Sequence, residues 1–512
     1  MRHARLIALA LPGPLLVAGC EVGPDYKKPP APMAAHFKEL AGWKPASPLD
    51  AVPRGPWWSV YHDPLLDRLE GELIVDNQTI RQAEAAYRQA QALVDEARSN
   101  LYPVLGLNPT FTRSGGGAGS GSIGGGTTTT AVGGGSSTSS TFVSGGRGGG
   151  YAASVYTFEG SATWSPDVWG RVRRQIESSV AGAQVSAADL ASAALAQQTL
   201  LATDYFEMRT SDALQKLLDR TVADYQHSLQ ITQNQYAVGV AARSDVVTAE
   251  TLLRTTQSQA INVGVARQQY EHAIAVLIGH PPADLTIPAG DLASEVPVAP
   301  AGVPSRLLER RPDIAAAERT MAEENALIGV AVAAFYPDIT LSALGGFVGN
   351  PLGSLFTASN RIWSLGAAAS QTVFDAGLRE STVRAARATY DEAVAAYRQT
   401  VLTAFQQVED DLSGLRILQD QQRVQEDAVR LAREAVRISL NEYSAGTVAY
   451  TAVITAQATA LADEETLLSI RQSRIVTSVS LIQALGGGWN TADLPDRADL
   501  TQRNLLDPRN NY

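Results

Sequence analysis

The chain has 512 residues, 45% of them apolar and 18% charged, which is enough apolar side chain for a large buried core and too few charges for a disordered polymer. A formal net charge of -11 excludes the basic footprint of a nucleic-acid-binding protein. The single cysteine, Cys20, excludes an internal disulfide.

At the N-terminus, Arg2 and Arg5 form a basic region, and the apolar run LIALALPGPLLVAG after them is too short to span a bilayer. Residues 1–19 therefore read as an export signal. Cys20 follows the small residues Ala18 and Gly19, an arrangement that resembles a bacterial lipoprotein box. The chemistry suits it: small residues let a peptidase reach the backbone, and a thiolate is the nucleophile that accepts a diacylglycerol. The plainer alternative is a buried core cysteine behind a cleaved signal. Glu21 stands where such lipoproteins commonly carry Asp for inner-membrane retention, so an outer-membrane location is expected. Residues 20–76 read as a lipidated arm and a first helix. Within the arm, Trp57 and Trp58 are either a ligand platform or packing anchors.

From residue 77 the chain repeats itself. YAVGVAARSDVVTAETL from Tyr236 matches YSAGTVAYTAVITAQAT from Tyr443, an offset of 207 residues that also pairs Gly170 with Gly377 and Gly279 with Gly486. Upstream, Ile80 pairs with Ile314 and Tyr102-Pro103 with Tyr336-Pro337, at an offset of 234. The 27 extra residues fall between Pro103 and Gly170, where the Gly/Ser tract 115–150 lies. That tract is thus an insertion within repeat 1, expected as an extracellular loop between two strands, and not a linker between domains. The expected boundaries are 77–280 for repeat 1, 281–310 for a Pro-rich linker, 311–488 for repeat 2 and 489–512 for a C-terminal tail.

Each copy reads as helix, strand, loop, strand, long helix, tight turn, helix. Apolar side chains alternate at Leu105, Leu107 and Phe111; at Tyr156, Phe158, Ala162 and Trp164; at Ile339, Leu341 and Phe347; and at Trp363, Leu365, Ala367 and Val373. These give four strands of roughly 9 to 11 residues, the length that crosses a bilayer at a tilt. Four strands cannot close a membrane barrel, for which about eight is the smallest count, so they form a small soluble sheet or are pooled by several chains. Residues 167–280 and 352–494 contain no proline and are rich in Ala, Gln, Leu and Arg, which predicts helix. A helix from Arg171 to Tyr236 would be about 100 Å long. Tyr390, Val394, Tyr397, Val401, Ala404 and Val408 recur in steps of four and three, a coiled-coil seam. Gly239 and Gly446 are placed to close the long helices, with Ser244 and Thr451 expected to cap the helices that follow.

Six stretches, in order, resemble the outer-membrane factor family of TolC-like channels, and within it the lipoprotein branch serving RND-type efflux pumps. They are CEVGPDYKKPP from Cys20, RGPWWSVYHDPLLDRL at 54–69, WSPDVWGRVRR at 164–174, VPSRLLERRPDIAAAE at 303–318, VFDAGLR at 373–379, and the two Tyr-x-x-Gly turns. The resemblance implies a mainly α fold with a membrane β-barrel: a homotrimer pooling twelve strands into one outer-membrane barrel, continued by an α-helical coiled-coil tunnel across the periplasm. It implies passive conduction, with no enzymatic activity and no cofactor, from an inner-membrane RND-type pump through a periplasmic adaptor. Tyr236, Gly239, Tyr443 and Gly446 would lie at periplasmic tips that meet the adaptor. Arg243, Asp245, Tyr450, Thr451 and Thr455 would lie at the entrance constriction. Where some members ring the entrance with Asp after the second tip, this chain carries Ala452 and Thr455. Asp245 of repeat 1 then reads either as a cation-attracting ring in the trimer or as a first-turn acid favoured by the helix dipole.

Other chemistry is weakly signalled. GSGSIG at 119–124 matches G-x-G-x-x-G but has neither a following helix nor a βαβ unit. The six histidines lack metal-ligand spacing, His272 and His280 being the nearest pair. Glu409, Asp410 and Asp411 read as a solvated face or tunnel lining. The alternatives to an efflux channel are a type I secretion channel and a structural or adhesive trimeric lipoprotein without a conduit. An outward apolar face on the strands, and ion conductance, separate the last from a channel.

Overall fold

The computed structural model describes residues 21–32, 37–38, 56–116, 151–293, 296 and 310–502. Cys20, GSGSIG and most of the Gly/Ser tract lie outside the described residues. The elements are α1 (Pro64–Asp76), α2 (Gln78–Ser99), β1 (Val104–Gly116), β2 (Tyr151–Trp164), α3 (Arg171–Ala237), α4 (Arg243–Leu277), α5 (Pro312–Ala333), β3 (Asp338–Gly349), β4 (Arg361–Ser370), α6 (Leu378–Ser444), α7 (Tyr450–Ala484) and α8 (Arg497–Thr501). The long helices α3 and α6 each run 67 residues and begin 207 positions apart, as do the 35-residue helices α4 and α7. The 22-residue helices α2 and α5 begin 234 positions apart. The chain divides into two compact units, a strand unit within 98–172 and 333–377 and a helical unit within 21–97, 173–332 and 378–512.

The strand unit is one antiparallel sheet in the order β1-β2-β3-β4, with β1 and β4 as its edges. Its strands run 13, 14, 12 and 10 residues, mostly longer than the alternation alone suggested. The excess is at the β1–β2 end, where the ladder continues through the glycines to Gly116 and Tyr151. Backbone pairing there persists past the last apolar side chain that marks the pattern.

In the helical unit, α3 and α4 fold back on each other: Arg267 Nε donates to Asp212 Oδ1 at 2.7 Å, and the two residues stand almost equally far from the turn at Gly239. Helices α6 and α7 do likewise, with Arg433 Nε on Glu464 Oε1 at 2.5 Å and Arg471 on Glu426 at 3.0 Å. Both hairpins contribute to one core, which joins Leu201, Phe206 and Met208 of α3, Ile274 of α4, Val408 and Leu412 of α6, and Val479 and Ile482 of α7. Trp57 and Trp58 are buried in that same core, with Trp57 Nε1 on Gln198 Oε1 at 3.1 Å. They are packing anchors. The predicted seam on α6 is buried as expected: Tyr397, Val401 and Ala404 pack with Ile314 and Met321 of α5, and Tyr390 and Val394 lie against them.

The inter-repeat linker is strapped to the first hairpin. Asp212, with its side chain 2% exposed, pairs with Arg209 and Arg267 and accepts from Gly290 N at 3.0 Å. Arg209 donates in turn to Pro288 O at 2.8 Å, and Glu271 accepts from Ile287 N at 2.5 Å. Backbone groups of a proline-rich segment have no ladder of their own, so side chains satisfy them.

Candidate functional site: strand faces and hairpin tips

Side chains alternate across a sheet, and the register fixes which share a face. Leu107, Gly160, Gly345 and Trp363 lie in one row, and Leu105, Ala162, Ala343 and Leu365 in the next. With Phe111, Phe158, Leu341 and Phe347 they make an apolar band on one face, which Arg113 and Ser154 follow at one end and Arg361 at the β4 edge. Asn108, Thr110, Glu159, Ser161, Thr340, Ser342 and Ser364 share the other. The apolar face is open, with Leu105, Leu107, Trp363 and Leu365 each more than 70% exposed. A patch of this size on a protein in water would be a strong liability; facing lipid, it is the stable arrangement.

Aromatic residues close both ends of this band. Phe111 and Tyr156 meet at 4.8 Å, and Phe356 takes an edge-on position against Phe158 and Phe347. At the other end Trp164 Nε1 donates to Leu101 O, and Trp169 stacks on Tyr336 at 4.9 Å while donating to Pro337 O. Indole and phenol rings suit an interface because they pair an apolar body with a hydrogen-bonding edge. Tyr156 to Trp164 covers about 27 Å along a strand, and at a tilt of about 40° that is roughly 20 Å of depth, near the apolar height of outer-membrane barrels.

The tip turns share one geometry. Gly239 (φ 80°) and Gly446 (φ 76°) stand in the left-handed region. The amide of the next residue bonds back to the helix, Val240 N to Gln235 O at 2.9 Å and Thr447 N to Glu442 O at 3.0 Å. This is the closure that satisfies the last carbonyls of a helix. The expected caps are corrected: Ala242 and Ala449, not Ser244 and Thr451, precede the second helices. The turn returns the chain to helical geometry two residues too early for those hydroxyls. The carbonyls of Ser244 and Thr451 instead accept from the hydroxyls of Thr248 and Thr455.

The two tips differ in what they bury. In repeat 2, Tyr443 and Tyr450 pack ring to ring at 5.1 Å and form a cluster with Val453 and, from repeat 1, Ala249, Leu229 and Ile231. Gln235 Nε2 donates to Tyr443 O at 3.1 Å, and the buried Gln457 donates to Ser228 Oγ at 2.7 Å, so the second hairpin is pinned to α3. In repeat 1, Tyr236 is exposed, with Val238 and Val240 beside it. Arg243, Thr451 and Thr455 are exposed too, and Asp245 is half-buried. Asp245 accepts from Ala242 N at 3.3 Å, a local contact of the helix start. Burial, with Asp245 adding to it, raises both Tyr443 and Tyr450 phenols above their usual range.

Comparison with known proteins places this architecture. The family model described as "Outer membrane efflux protein" matches residues 69–280 and 303–487. The chain belongs to the outer membrane efflux protein family. It is 29% identical over 486 residues to the probable efflux pump outer membrane protein TtgC of Pseudomonas putida, covering 94% of this chain and 96% of that one. It is 27% identical over 478 residues to the cation efflux system protein CusC of Escherichia coli, covering 93% and 97%. The solved structure of the outer-membrane channel OprN superposes with a TM-score of 0.81 at 28% identity, covering 92% of this chain and 100% of that one.

Several features of this outer-membrane efflux protein had no sequence signal. Arg174, the last residue of the WSPDVWGRVRR stretch, is buried and holds the N-terminal arm: it donates to Val22 O, to Asp25 at 2.8 Å and to Glu177 at 2.8 Å, and pairs with Glu21 at 3.5 Å. Gly23 passes so close to α5 that a Cβ there would sit 2.5 Å from Gly329 Cα. Asn325 and Glu318, also of α5, take Pro24 O and the Tyr26 hydroxyl. Asp204 and Asp411, 207 positions apart, are both half-buried carboxyls. Burial and then Glu207 push Asp204 up to about 6, and burial and then Asp410 push Asp411 up to about 7.

Proposed function

We propose that this efflux protein acts as a homotrimer, in which three four-stranded sheets join edge to edge into a twelve-stranded barrel in the outer membrane. The observation that carries this is the two-faced sheet whose edge strands β1 and β4 have no second neighbour among the described residues, because open edges in a bilayer leave backbone groups unsatisfied. The polar face of Asn108, Glu159 and Ser161 then lines a water-filled pore, and the apolar face meets lipid. Cys20 carries the lipid anchor, next to the arm that Arg174 holds. The helices α3 and α6, about 100 Å long, continue the conduit across the periplasm.

The pore conducts passively what an inner-membrane RND-type pump delivers through a periplasmic adaptor. The tips, with Tyr236, Gly239, Tyr443 and Gly446, form the adaptor-facing end. Arg243, Asp245, Tyr450, Thr451 and Thr455 surround the entrance, which opens when the hairpins part under adaptor binding. Tyr450 acts from within the cluster, holding the second hairpin to the first. Engineered disulfides between neighbouring tips test this: export should cease when they are oxidised and return on reduction. Undiminished export through locked tips would refute it.

A further inference from the structure

The four strands carry four charged side chains, Arg113, Glu159, Asp338 and Arg361, and alternation across the sheet divides them by sign. Glu159, opposite Asn108, and Asp338, two before Thr340, fall on the polar face. Arg113 lies two positions beyond Phe111 on β1, and Arg361 two before Trp363 on β4, so both arginines belong to the apolar face. Both are exposed, and neither guanidinium has a hydrogen bond or ion pair with a described residue.

Both arginines stand at the end of the sheet where β1 connects to β2 and β3 to β4, opposite the end from which the chain continues into α3 and α6. With the helices in the periplasm, that end meets the outer leaflet. Neither connection there, 117–150 or 350–360, contains an Asp or Glu, so the counter-charge must come from outside the strands and their loops. An arginine on the lipid face is costly at the bilayer midplane and costs little near the interface, where lipid phosphates lie. On the midplane side of the arginines the apolar face is hollow: Gly160, Ala162, Ala343 and Gly345 occupy its middle, between the larger side chains of β1 and β4. A Cβ added at Gly345 would meet nothing within 4 Å.

We propose that each boundary between two chains binds one molecule of a bisphosphorylated, multiply acylated glycolipid of the lipid A type. Its phosphates accept from Arg361 of one chain and Arg113 of the next, and its acyl chains lie over the apolar band. This rests on the trimeric reading, because β4 of one chain adjoins β1 of the next in the pooled barrel. A guanidinium presents paired N–H groups that match phosphate oxygens. Two cations without a carboxylate suit a headgroup with two phosphates, and a broad hollow face suits several acyl chains; a glycerophospholipid offers one phosphate and two chains. The guanidinia take the place of the divalent cations that bridge such phosphates, so binding does not require a metal ion.

Native mass spectrometry of the full-length protein, delipidated in detergent and titrated with hexa-acylated diphosphoryl lipid A, tests it. Saturation at one lipid per chain boundary is expected, unchanged by EDTA. Monophosphoryl lipid A and phosphatidylglycerol should each bind about tenfold more weakly. Arg113→Gln and Arg361→Gln, both at exposed positions, should each weaken diphosphoryl lipid A about tenfold, and the double variant should bind it no better than phosphatidylglycerol. Trimers that bind no lipid A, that bind the three lipids equally, or that keep full affinity in both single variants would overturn the proposal and leave the trimer standing. Spectra of monomers alone would overturn it together with the trimeric reading.

Discussion

Tyr450→Ala isolates the contact that holds the second hairpin to the first. The Tyr450 ring is 2% exposed, packed on Tyr443 and Val453 of its own hairpin and on Ala249, Leu229 and Ile231 of the other. Truncating a buried aromatic side chain costs about 3–5 kcal/mol. Contacts within α6 and α7 survive when the hairpins part, so about half of that, ~2 kcal/mol, falls on the docked state alone. At about 1.4 kcal/mol per tenfold, the parted tip gains roughly 30-fold in relative population. Single-channel recording in planar bilayers should show the open fraction of Tyr450→Ala raised by about that factor where the wild type is mostly closed. Tyr450→Phe, which keeps the packing, should stay near wild type. An open fraction unchanged in Tyr450→Ala, or equal in the Phe and Ala variants, would refute the role given to the cluster.

Gly239→Ala should cost roughly 1–2 kcal/mol through the left-handed backbone alone, because a Cβ there meets nothing within 4 Å. Gly486→Ala should cost clearly more, since its Cβ would also lie 2.1 Å from Arg310 O; thermal midpoints of the two variants compare them directly. Glu70 is fully buried with no hydrogen-bond partner among the described residues, and burial pushes its carboxyl up to about 9. A raised folded-state value means that its contribution to stability is complete below about pH 4.5 and is lost as pH rises through 9. Glu70→Gln should therefore stabilise the protein at pH 7 by on the order of 1–3 kcal/mol and flatten the decline between pH 5 and 9; parallel pH profiles for variant and wild type would contradict it. Asp212→Ala leaves Arg209 and Arg267 without their shared carboxylate, a loss of about 3–5 kcal/mol for a buried pair. Limited proteolysis should then cut the strap near Ile287–Asp291, which the wild type should resist.

The helices were legible because they obey a rule visible at the level of residue type. Two proline-free blocks, a seam at steps of four and three, and glycines in one register give α3 to within a residue and place the turns after α3 and α6 at Gly239 and Gly446. The strand faces were legible for the same reason, since alternation is a local pattern. What stayed hidden was polar. Ser228 and Gln457 stand 229 positions apart, and nothing local marks either as buried. Arg174 is of a type that is normally exposed, and only the close passage of Gly23 over Gly329 reveals why it is not. The caps failed because a two-residue difference in where the turn rejoins the helix decides whether a hydroxyl can reach the first amides.

The central claim is that this chain forms a conduit, and purified protein in planar bilayers tests it most directly. Discrete, long-lived conductance steps carried by trimers are expected, with larger open fractions when the tip cluster is loosened. Trimers that insert stably and pass no current, in the wild type and in Tyr450→Ala alike, would contradict it.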